Sequence, residues 1–209
     1  MALMAAQADP APDPGGACLD GCRAGKAADI EQLFQTYSRY IERVIGRLVG
    51  PTADLEDLVH DSFVQAIQAL PRFRGEASFK TWLTSIAIHV AQHHLRAGRV
   101  RRHVPLEAVA DGAFALPSGE SDRRLDERRL GPKLHTLLDR VKPKKRIALL
   151  LYVVEGKSVE EIASLMGATQ TATRSRIFFA RREMRAIFRS TPELRELASA
   201  LLDRAAGES

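Results

Sequence analysis

The sequence predicts an all-α protein made of two small helical domains joined by a flexible linker. Apolar residues recur at steps of three and four through most of the 209 residues, which is the spacing of helices with one buried face. No segment alternates apolar and polar residues as a half-buried strand would. A stretch containing Pro, Gly and scattered apolar residues without a period, 104–125, separates the two helical halves.

These patterns divide the chain into five segments. Residues 1–26 are rich in Ala, Pro, Gly and Asp and are predicted to form a disordered tail. The N-terminal domain covers 27–103, the linker 104–125 and the C-terminal domain 126–190. A final tail, 191–209, has leucines at helical spacing and can form a short amphipathic helix.

Three helices are predicted in the N-terminal domain. The first ends at Gly50, and the second covers 55–70 after a cap provided by Thr52 or Asp54. The third follows a loop over 71–78 and becomes basic towards its end. The apolar residues of each helix lie on one stripe, so the three helices can share one core.

Bulk composition favours a polyanionic partner and gives no sign of a membrane or secreted protein. The net charge is +5 and the isoelectric point is about 9.5. No segment is long and apolar enough to span a bilayer, and the N-terminus does not resemble a secretory signal. Cys18 and Cys22 are too few for a disulfide framework and lack neighbouring metal ligands. We therefore expect a cytoplasmic protein without cofactor or metal.

The segment 158–185 predicts a helix-turn-helix. Ser158 and Glu161 match a capping box, Gly167 suits a sharp turn, and Thr169 can cap a second helix rich in arginine. A short helix, a tight turn and a basic helix place the second helix in the major groove of DNA. The alternative is an ordinary helical hairpin with a solvated basic face. The capping box, the small turn and the one-sided basicity together favour DNA binding.

The second helix of the N-terminal domain has an acidic polar face. Asp57, Asp61 and Gln65 lie on this face, and Asp54 lies at its start. Acidic residues near a helix N-terminus also stabilise the helix dipole, which is the simpler interpretation. In a basic protein that binds DNA, however, an acidic face is better suited to a protein partner than to phosphate.

Aromatic and cationic side chains are combined between residues 73 and 96. Phe73, Arg74, Phe79, Lys80 and Trp82 have the composition of a single-stranded nucleic-acid site, where bases stack on rings and cations follow the backbone. Phe79 and Trp82 also lie on an apolar stripe, so the alternative for both is a place in the core. His89 and His93 have no apparent third metal ligand, and we expect them to face a groove instead.

Over residues 27–190, which include both predicted domains, the chain resembles the extracytoplasmic-function (ECF) sigma factors of bacterial RNA polymerase. The resemblance rests on four segments in the expected order. These are DLEDLVHDSF at 54–63, FRGEASFKTWLTSIA at 73–87, VEGKSVEEIASLMG at 154–167 and TRSRI at 173–177.

The resemblance implies a protein that is not an enzyme but binds core polymerase, recognises promoter DNA and starts strand opening. Its acidic helix would dock on the clamp helices of the polymerase β′ subunit. An anti-sigma factor is a further implied partner, and no direct membrane insertion is expected. The implied polymerase-binding residues are Asp54, Asp57, Asp61 and Gln65. The implied residues for the minus-ten element are Phe73, Arg74, Phe79, Lys80, His89, His93 and Arg96. Those for the minus-thirty-five element are Gln170, Thr171, Arg174, Ser175, Phe178, Arg181 and Arg182.

The sequence departs from the family pattern at three places. His89 and His93 replace the common Asn and Asp, Thr-Ala-Thr at 171–173 replaces Gly-Thr-Val, and Phe179 replaces a frequently basic residue. Thr173 is expected on the core side of its helix, at some cost in packing. The competing function is a free-standing helix-turn-helix regulator, which would leave the acidic helix and the aromatic loop without a role.

Overall fold

The computed structural model describes residues 18–101 and 134–189, and every regular element in these two ranges is helical. The prediction of an all-α protein is confirmed. The linker, the tail 191–209 and the first residues of the predicted C-terminal domain lie outside the described residues. None of the described helices is long and apolar enough to cross a membrane. The helices are α1 (Leu19–Arg23), α2 (Ala27–Val49), α3 (Leu55–Ala69), α4 (Phe79–Arg101), α5 (Pro143–Val153), α6 (Val159–Leu165) and α7 (Gln170–Arg189).

The N-terminal domain is built on mutual packing of α2, α3 and α4. Gly50 has a φ of 83° and ends α2, as predicted, because this backbone conformation is strained for residues with a side chain. Thr52 accepts a hydrogen bond from the Asp54 amide at 3.2 Å just before α3. Ser78 caps α4 by accepting from the Thr81 amide at 3.1 Å. The end of α2 and the start of α4 were thus predictable from local chemistry, whereas Asp54, the N-cap residue of α3, makes no side-chain capping hydrogen bond.

Residues 18–26 differ from the predicted disordered tail. Cys18 and Cys22 are buried at 2% and 3% exposure, and α1 packs against α2 and the short 3-10 turn Leu70–Arg72. Arg23 links this segment to the 71–78 loop, because its guanidinium donates a hydrogen bond to the Phe73 carbonyl oxygen at 3.2 Å. A five-residue helix is too short to show apolar periodicity, so only tertiary contacts reveal it. Burial, with the charges of Cys18 and Asp29, raises the pKa of the free Cys22 thiol.

The C-terminal domain contains α5, α6, α7 and a helical segment over 134–138. Pro143 occupies the first turn of α5, where its missing N–H costs nothing. Beyond α5, Gly156 has a φ of 62°, and the Lys157 amide donates to the Leu151 carbonyl at 3.0 Å, which closes the helix end. Helices α6 and α7 both pack on α5.

The two domains contact each other, with α4 touching α5 and α6 and α2 touching α5. Arg146 of α5 lies in this contact at 1% exposure. One of its guanidinium nitrogens lies 2.9 Å from His135 Nδ1, and another donates to Asp139. Arginine can only donate, so Nδ1 must accept and the imidazole is neutral. Burial, assisted by the charge of Arg146, lowers the pKa of His135 from 6.5 to about 4, although Asp139 opposes the shift.

This depressed pKa predicts a pH dependence of folding. Below pH 6.5 His135 is protonated in the unfolded chain but stays neutral in the folded chain. The free energy of unfolding therefore falls as the pH decreases from 6.5 towards 4. The full loss is on the order of 3 kcal/mol. Denaturant titrations of the native chain and of His135→Asn at pH 7 and pH 4.5 measure it. The Asn oxygen keeps an acceptor and does not titrate, so the variant should lose less stability. Equal losses in the two proteins would contradict the assignment.

Candidate nucleic-acid and protein interfaces

The predicted helix-turn-helix is present in α6 and α7. Ser158 Oγ accepts from the Glu161 amide at 3.2 Å, while the Glu161 carboxylate accepts from the Ser158 amide at 2.8 Å. The bond from the Ser158 amide and then that from Lys157 hold the pKa of Glu161 below its ordinary value. Gly167 has a φ of 55° in the turn, and Thr169 accepts from the Ala172 amide at 3.2 Å. The local signals named in the sequence therefore form this motif.

One side of α7 is exposed and carries most of the residues predicted to contact the upstream promoter element. Positions separated by three and four residues share a helix face. Phe178 is 63% exposed in the middle of this face, and its ring contacts that of Phe179, with the ring centroids 5.4 Å apart. An apolar ring there can contact a thymine methyl group, while arginine can read guanine. Arg181 is half-buried at the margin of the face. The exposed members are Gln170, Thr171, Arg174, Ser175, Phe178 and Arg182.

Thr173 faces the core, as the sequence predicts. It is fully buried, and its hydroxyl has no hydrogen-bond partner among the described residues. A buried hydroxyl without a partner has lost its hydration without compensation.

Thr173→Val should therefore raise the stability of the C-terminal domain by about 1 kcal/mol, because a methyl group replaces the unsatisfied hydroxyl. Thermal or denaturant unfolding measures the change. Thr171→Val is the matched control, since Thr171 is exposed on the same helix and should have a smaller effect. Destabilisation by Thr173→Val would show that the hydroxyl is satisfied after all.

The acidic face of α3 is exposed where predicted. Asp57, Asp61 and Gln65 are all exposed, and Asp54 is exposed at the helix start. Asp54 Oδ2 lies 3.7 Å from His94 Nδ1 of α4, so this carboxylate also contributes to packing between the two helices. The structure thus brings the four residues to one side of the N-terminal domain.

An apolar groove beside this acidic face was missed from the sequence. Phe34 of α2 and Val64 of α3 are 40% and 39% exposed, and the Phe34 and Phe63 rings lie 4.8 Å apart. Val64 lies among the acidic residues of α3, away from the buried stripe of that helix. This position in the sequence was the signal from which an exposed apolar group could have been predicted. Exposed apolar groups rimmed by charge mark a protein-binding surface. The groove is lined by Ala27, Ile30, Glu31, Phe34, His60, Phe63, Val64, Ile67 and Gln68.

The aromatic residues around the 71–78 loop form one cluster. Phe73 packs against Trp82 with ring centroids 4.8 Å apart, and both are half-buried. Phe79 is only 2% exposed and packs against Tyr37 of α2, so it belongs to the core and cannot stack on a base. Phe79 starts α4 on its apolar stripe, and helix packing decides its direction. The prediction of Phe79 as a DNA contact is therefore corrected.

A polar stripe follows α4 from Trp82 to Arg96. Trp82, His89, His93 and Arg96 share one side of the helix and extend over about 21 Å. His89 donates from Nδ1 to the Ser85 carbonyl at 2.7 Å, which leaves Nε2 for a ligand.

Lys80 and Arg74, two cations predicted to contact the minus-ten element, lie outside this stripe. Lys80 lies on another side of α4, with its ammonium 4.4 Å from the centre of the Tyr40 ring. Arg74 is exposed in the loop, 3.9 Å from Glu76. Within the described ranges no group of three or more His, Cys, Asp or Glu side chains could hold a metal ion.

Comparison with known families matches both domains. The sigma-70 region 2 model matches residues 33–101, and the sigma-70 region 4 model matches residues 132–184. The first range contains the acidic helix, the aromatic cluster and the α4 stripe, and the second contains the helix-turn-helix. A region 2 domain followed by a region 4 domain defines the sigma-70 class of transcription factors.

Curated relatives and solved structures agree with this class. The chain is 34% identical over 170 residues to the RNA polymerase sigma-H factor of Pseudomonas aeruginosa, covering 78% of this chain and 88% of the relative. It is 33% and 32% identical, with the same coverage, to the ECF RNA polymerase sigma-E factors of Salmonella typhimurium and Escherichia coli. The chain belongs to the ECF family of RNA polymerase sigma factors.

Two solved structures share the fold. CnrH in complex with the cytosolic domain of CnrY has a TM-score of 0.55 at 20% identity, covering 84% of this chain and 97% of that chain. The sigma factor RpoE in complex with the anti-sigma factor NepR from Bartonella quintana has a TM-score of 0.53 at 22% identity, covering 78% of this chain and 98% of that chain.

Proposed function

We propose that this ECF sigma factor directs polymerase to promoters through three separate surfaces on one chain. The α3 face with its apolar groove binds core polymerase, the α4 stripe binds the minus-ten element, and α7 binds the minus-thirty-five element. The observation that carries this proposal is the presence of an acidic and apolar face beside two faces suited to nucleic acid. A free-standing regulator needs only the last of these surfaces.

The polymerase-binding surface combines charge with apolar area. Asp57, Asp61 and Gln65 supply acceptors around Val64, and Phe34 extends the apolar part onto α2. Such a surface suits a partner with cationic and apolar side chains, since charge fixes the docking geometry and apolar burial supplies affinity. The β′ clamp helices are the partner that the family resemblance implies.

The minus-ten surface suits one DNA strand. Phe73 and Trp82 offer half-buried rings at one end of the stripe, and His89, His93 and Arg96 offer polar groups along it. Stacking of an unpaired base on such rings contributes roughly 1–3 kcal/mol, which can offset part of the cost of unpairing. Capture of a non-template base at this cluster would start strand opening. Phosphodiester chemistry is left to the polymerase, and the chain acts as a non-enzymatic subunit in the cytoplasm.

An anti-sigma factor is the expected regulator. The RpoE relative was solved with the anti-sigma factor NepR, and CnrH was solved with the cytosolic domain of CnrY. The apolar surfaces that such a partner could cover include the groove of α2 and α3 and the exposed rings of Phe178 and Phe179.

In vitro transcription with purified core polymerase over a promoter library tests the function. The chain should bind core and select a small set of promoters that share two elements. Without polymerase it should bind duplex DNA weakly. Tight binding of a palindrome by the isolated chain, with no gain in start-site selection, would favour a free-standing regulator.

A further inference from the structure

Helix α1 ends beside Phe73, which carries one of the two half-buried rings of the aromatic cluster. Arg23 Nη2 donates a hydrogen bond to the Phe73 carbonyl oxygen at 3.2 Å, and Nη1 donates to the Asp20 carboxylate at 2.8 Å. Asp20 lies three residues before Arg23 on α1, so the two share a helix face and the carboxylate orients the guanidinium. The match to sigma-70 region 2 begins at residue 33. Arg23 therefore lies outside the range that the family model matches.

Helix α1 provides a firm support for this contact. Its N-cap residue Cys18 and its Cys22 are buried, and the helix packs against α2 and the short 3-10 turn after α3. Gly25 has a φ of 72°, its amide donates to the Cys22 carbonyl at 3.0 Å, and the Lys26 amide donates to the Gly21 carbonyl at 2.9 Å. These two bonds form a Schellman motif, which closes the helix directly after its last turn.

Phe73 depends on such a contact because the rest of its loop supplies little packing. Residues 74–77 are all exposed. The Phe73 amide donates to the Leu70 carbonyl at 3.1 Å, and its carbonyl accepts from Arg23. Hydrogen bonds on both sides of the residue fix its backbone and thereby the direction of its Cβ. The Phe73 ring then lies against Trp82, with ring centroids 4.8 Å apart.

From this geometry we infer that Arg23 is a positioning residue for base capture at the minus-ten element. Through the Phe73 carbonyl, α1 holds the rings of Phe73 and Trp82 in place before DNA arrives. A cluster that is already ordered avoids the entropic cost of ordering it on binding. The inference rests on the proposed role of this cluster in base capture, whereas the position of the ring can be tested without DNA. In the simpler interpretation the bond only helps to hold α1, and the rings do not depend on it.

The fluorescence of Trp82 tests the position of the Phe73 ring in the free chain. Trp82 is the single tryptophan of the sequence, so its signal needs no label. Arg23→Met removes the donor and the charge but keeps a long unbranched side chain, and Arg23 is exposed, so the variant should fold. Acrylamide should quench Trp82 more strongly in Arg23→Met than in the parent. Phe73→Ala, which lacks the covering ring, gives the upper limit of this increase.

Two matched variants separate the hydrogen bond from the loss of a charge. Lys26→Met removes a cation three residues further along, where the side chain is also exposed, and should leave the quenching of Trp82 unchanged. Arg23→Lys retains a cationic donor and should restore most of the parent value. Unchanged quenching in Arg23→Met would overturn the inference, and so would an equal change in Lys26→Met.

Binding of the polymerase holoenzyme to fork DNA measures base capture itself. The fork joins an upstream duplex to a single-stranded minus-ten non-template strand. An abasic nucleotide at the captured position should weaken binding by the parent roughly 5- to 150-fold. Arg23→Met should weaken binding to the intact fork roughly two- to tenfold, the size of one hydrogen bond, and bind the abasic fork like the parent. In the Phe73→Ala background, Arg23→Met should add little, because the two residues act together.

The remaining outcomes distinguish this inference from the proposed function. Equal weakening on both forks, with a shallower salt dependence, would show that Arg23 contacts a phosphate directly and would overturn the positioning role. Loss of base capture in Phe73→Ala but not in Arg23→Met would also overturn it and leave the proposed function intact. Full discrimination against the abasic fork by Phe73→Ala would refute base capture by this cluster, and the positioning role with it.

Discussion

Asp57→Arg is expected to weaken the binding of core polymerase about 100-fold or more while the chain remains folded. Asp57 is exposed on α3, next to Asp61 and the exposed Val64. Reversal of its charge would set like charges against each other across the interface, which costs several kcal/mol. Folding should be nearly unaffected, since substitutions at exposed helix positions change stability little. Pull-down or fluorescence anisotropy with purified core polymerase measures the affinity, and circular dichroism checks the fold.

Glu42→Arg is the matched control for this prediction. Glu42 is an exposed acid on α2, in the same domain but outside the groove and the α3 face. The same change of charge there should reduce core binding only slightly. Normal core affinity of Asp57→Arg would refute the docking surface, whereas equal losses in the two variants would point to a general effect of net charge. Val64→Asp should weaken binding as well, because it removes apolar area from the same surface.

Arg174→Ala is expected to reduce recognition of the upstream element by roughly 5- to 150-fold, which corresponds to ~1–3 kcal/mol for one lost base contact. Arg174 is exposed on the outer face of α7, between Thr171 and Phe178. A base contact predicts a loss of discrimination at one promoter position. A phosphate contact predicts uniform weakening on all sequences and a shallower salt dependence. Transcription from a library randomised in the upstream element separates the two outcomes.

Two further variants sharpen this test. Arg176→Ala removes an arginine from another side of the same helix, where it is partly covered, and should leave promoter selection unchanged. Arg174→Lys should fail to restore discrimination if the contact is bidentate, because an ammonium group cannot form two parallel hydrogen bonds to guanine. Unchanged selectivity in Arg174→Ala would remove Arg174 from the recognition surface.

Much of the fold was predictable because its signals are local. The boundaries at Gly50, Ser78 and Gly167 follow from backbone conformation and capping, which depend on a few neighbouring residues. The helix-turn-helix was predictable for the same reason. Thr173 was expected on the core side of its helix and is buried there, whereas only the structure shows that its hydroxyl lacks a partner among the described residues.

Site residues were predictable only where a helix position decides exposure. Asp57, Asp61, Arg174 and Ser175 are exposed as expected, since each lies opposite an apolar stripe. The sequence was compatible with Phe79 as a DNA contact or as a core residue. The packing of α4 on α2 buries it in the core. The position of Val64 among the acidic residues of α3 was a local signal for an exposed apolar group, but the groove that it forms with Phe34 needs two helices at a defined distance and is seen only in the tertiary structure.

The sequence by itself determined the helical class, the helix boundaries at Gly50, Ser78 and Gly167, the order of the two modules and the exposed polar positions of α3 and α7. These properties depend on interactions between residues within about one or two helical turns. Only the tertiary structure decided that Cys18 and Cys22 are buried, that Phe79 belongs to the core, and that Arg146 reaches the end of α2. Such contacts join residues distant in sequence, and their partners are chosen by packing and burial that no local pattern records.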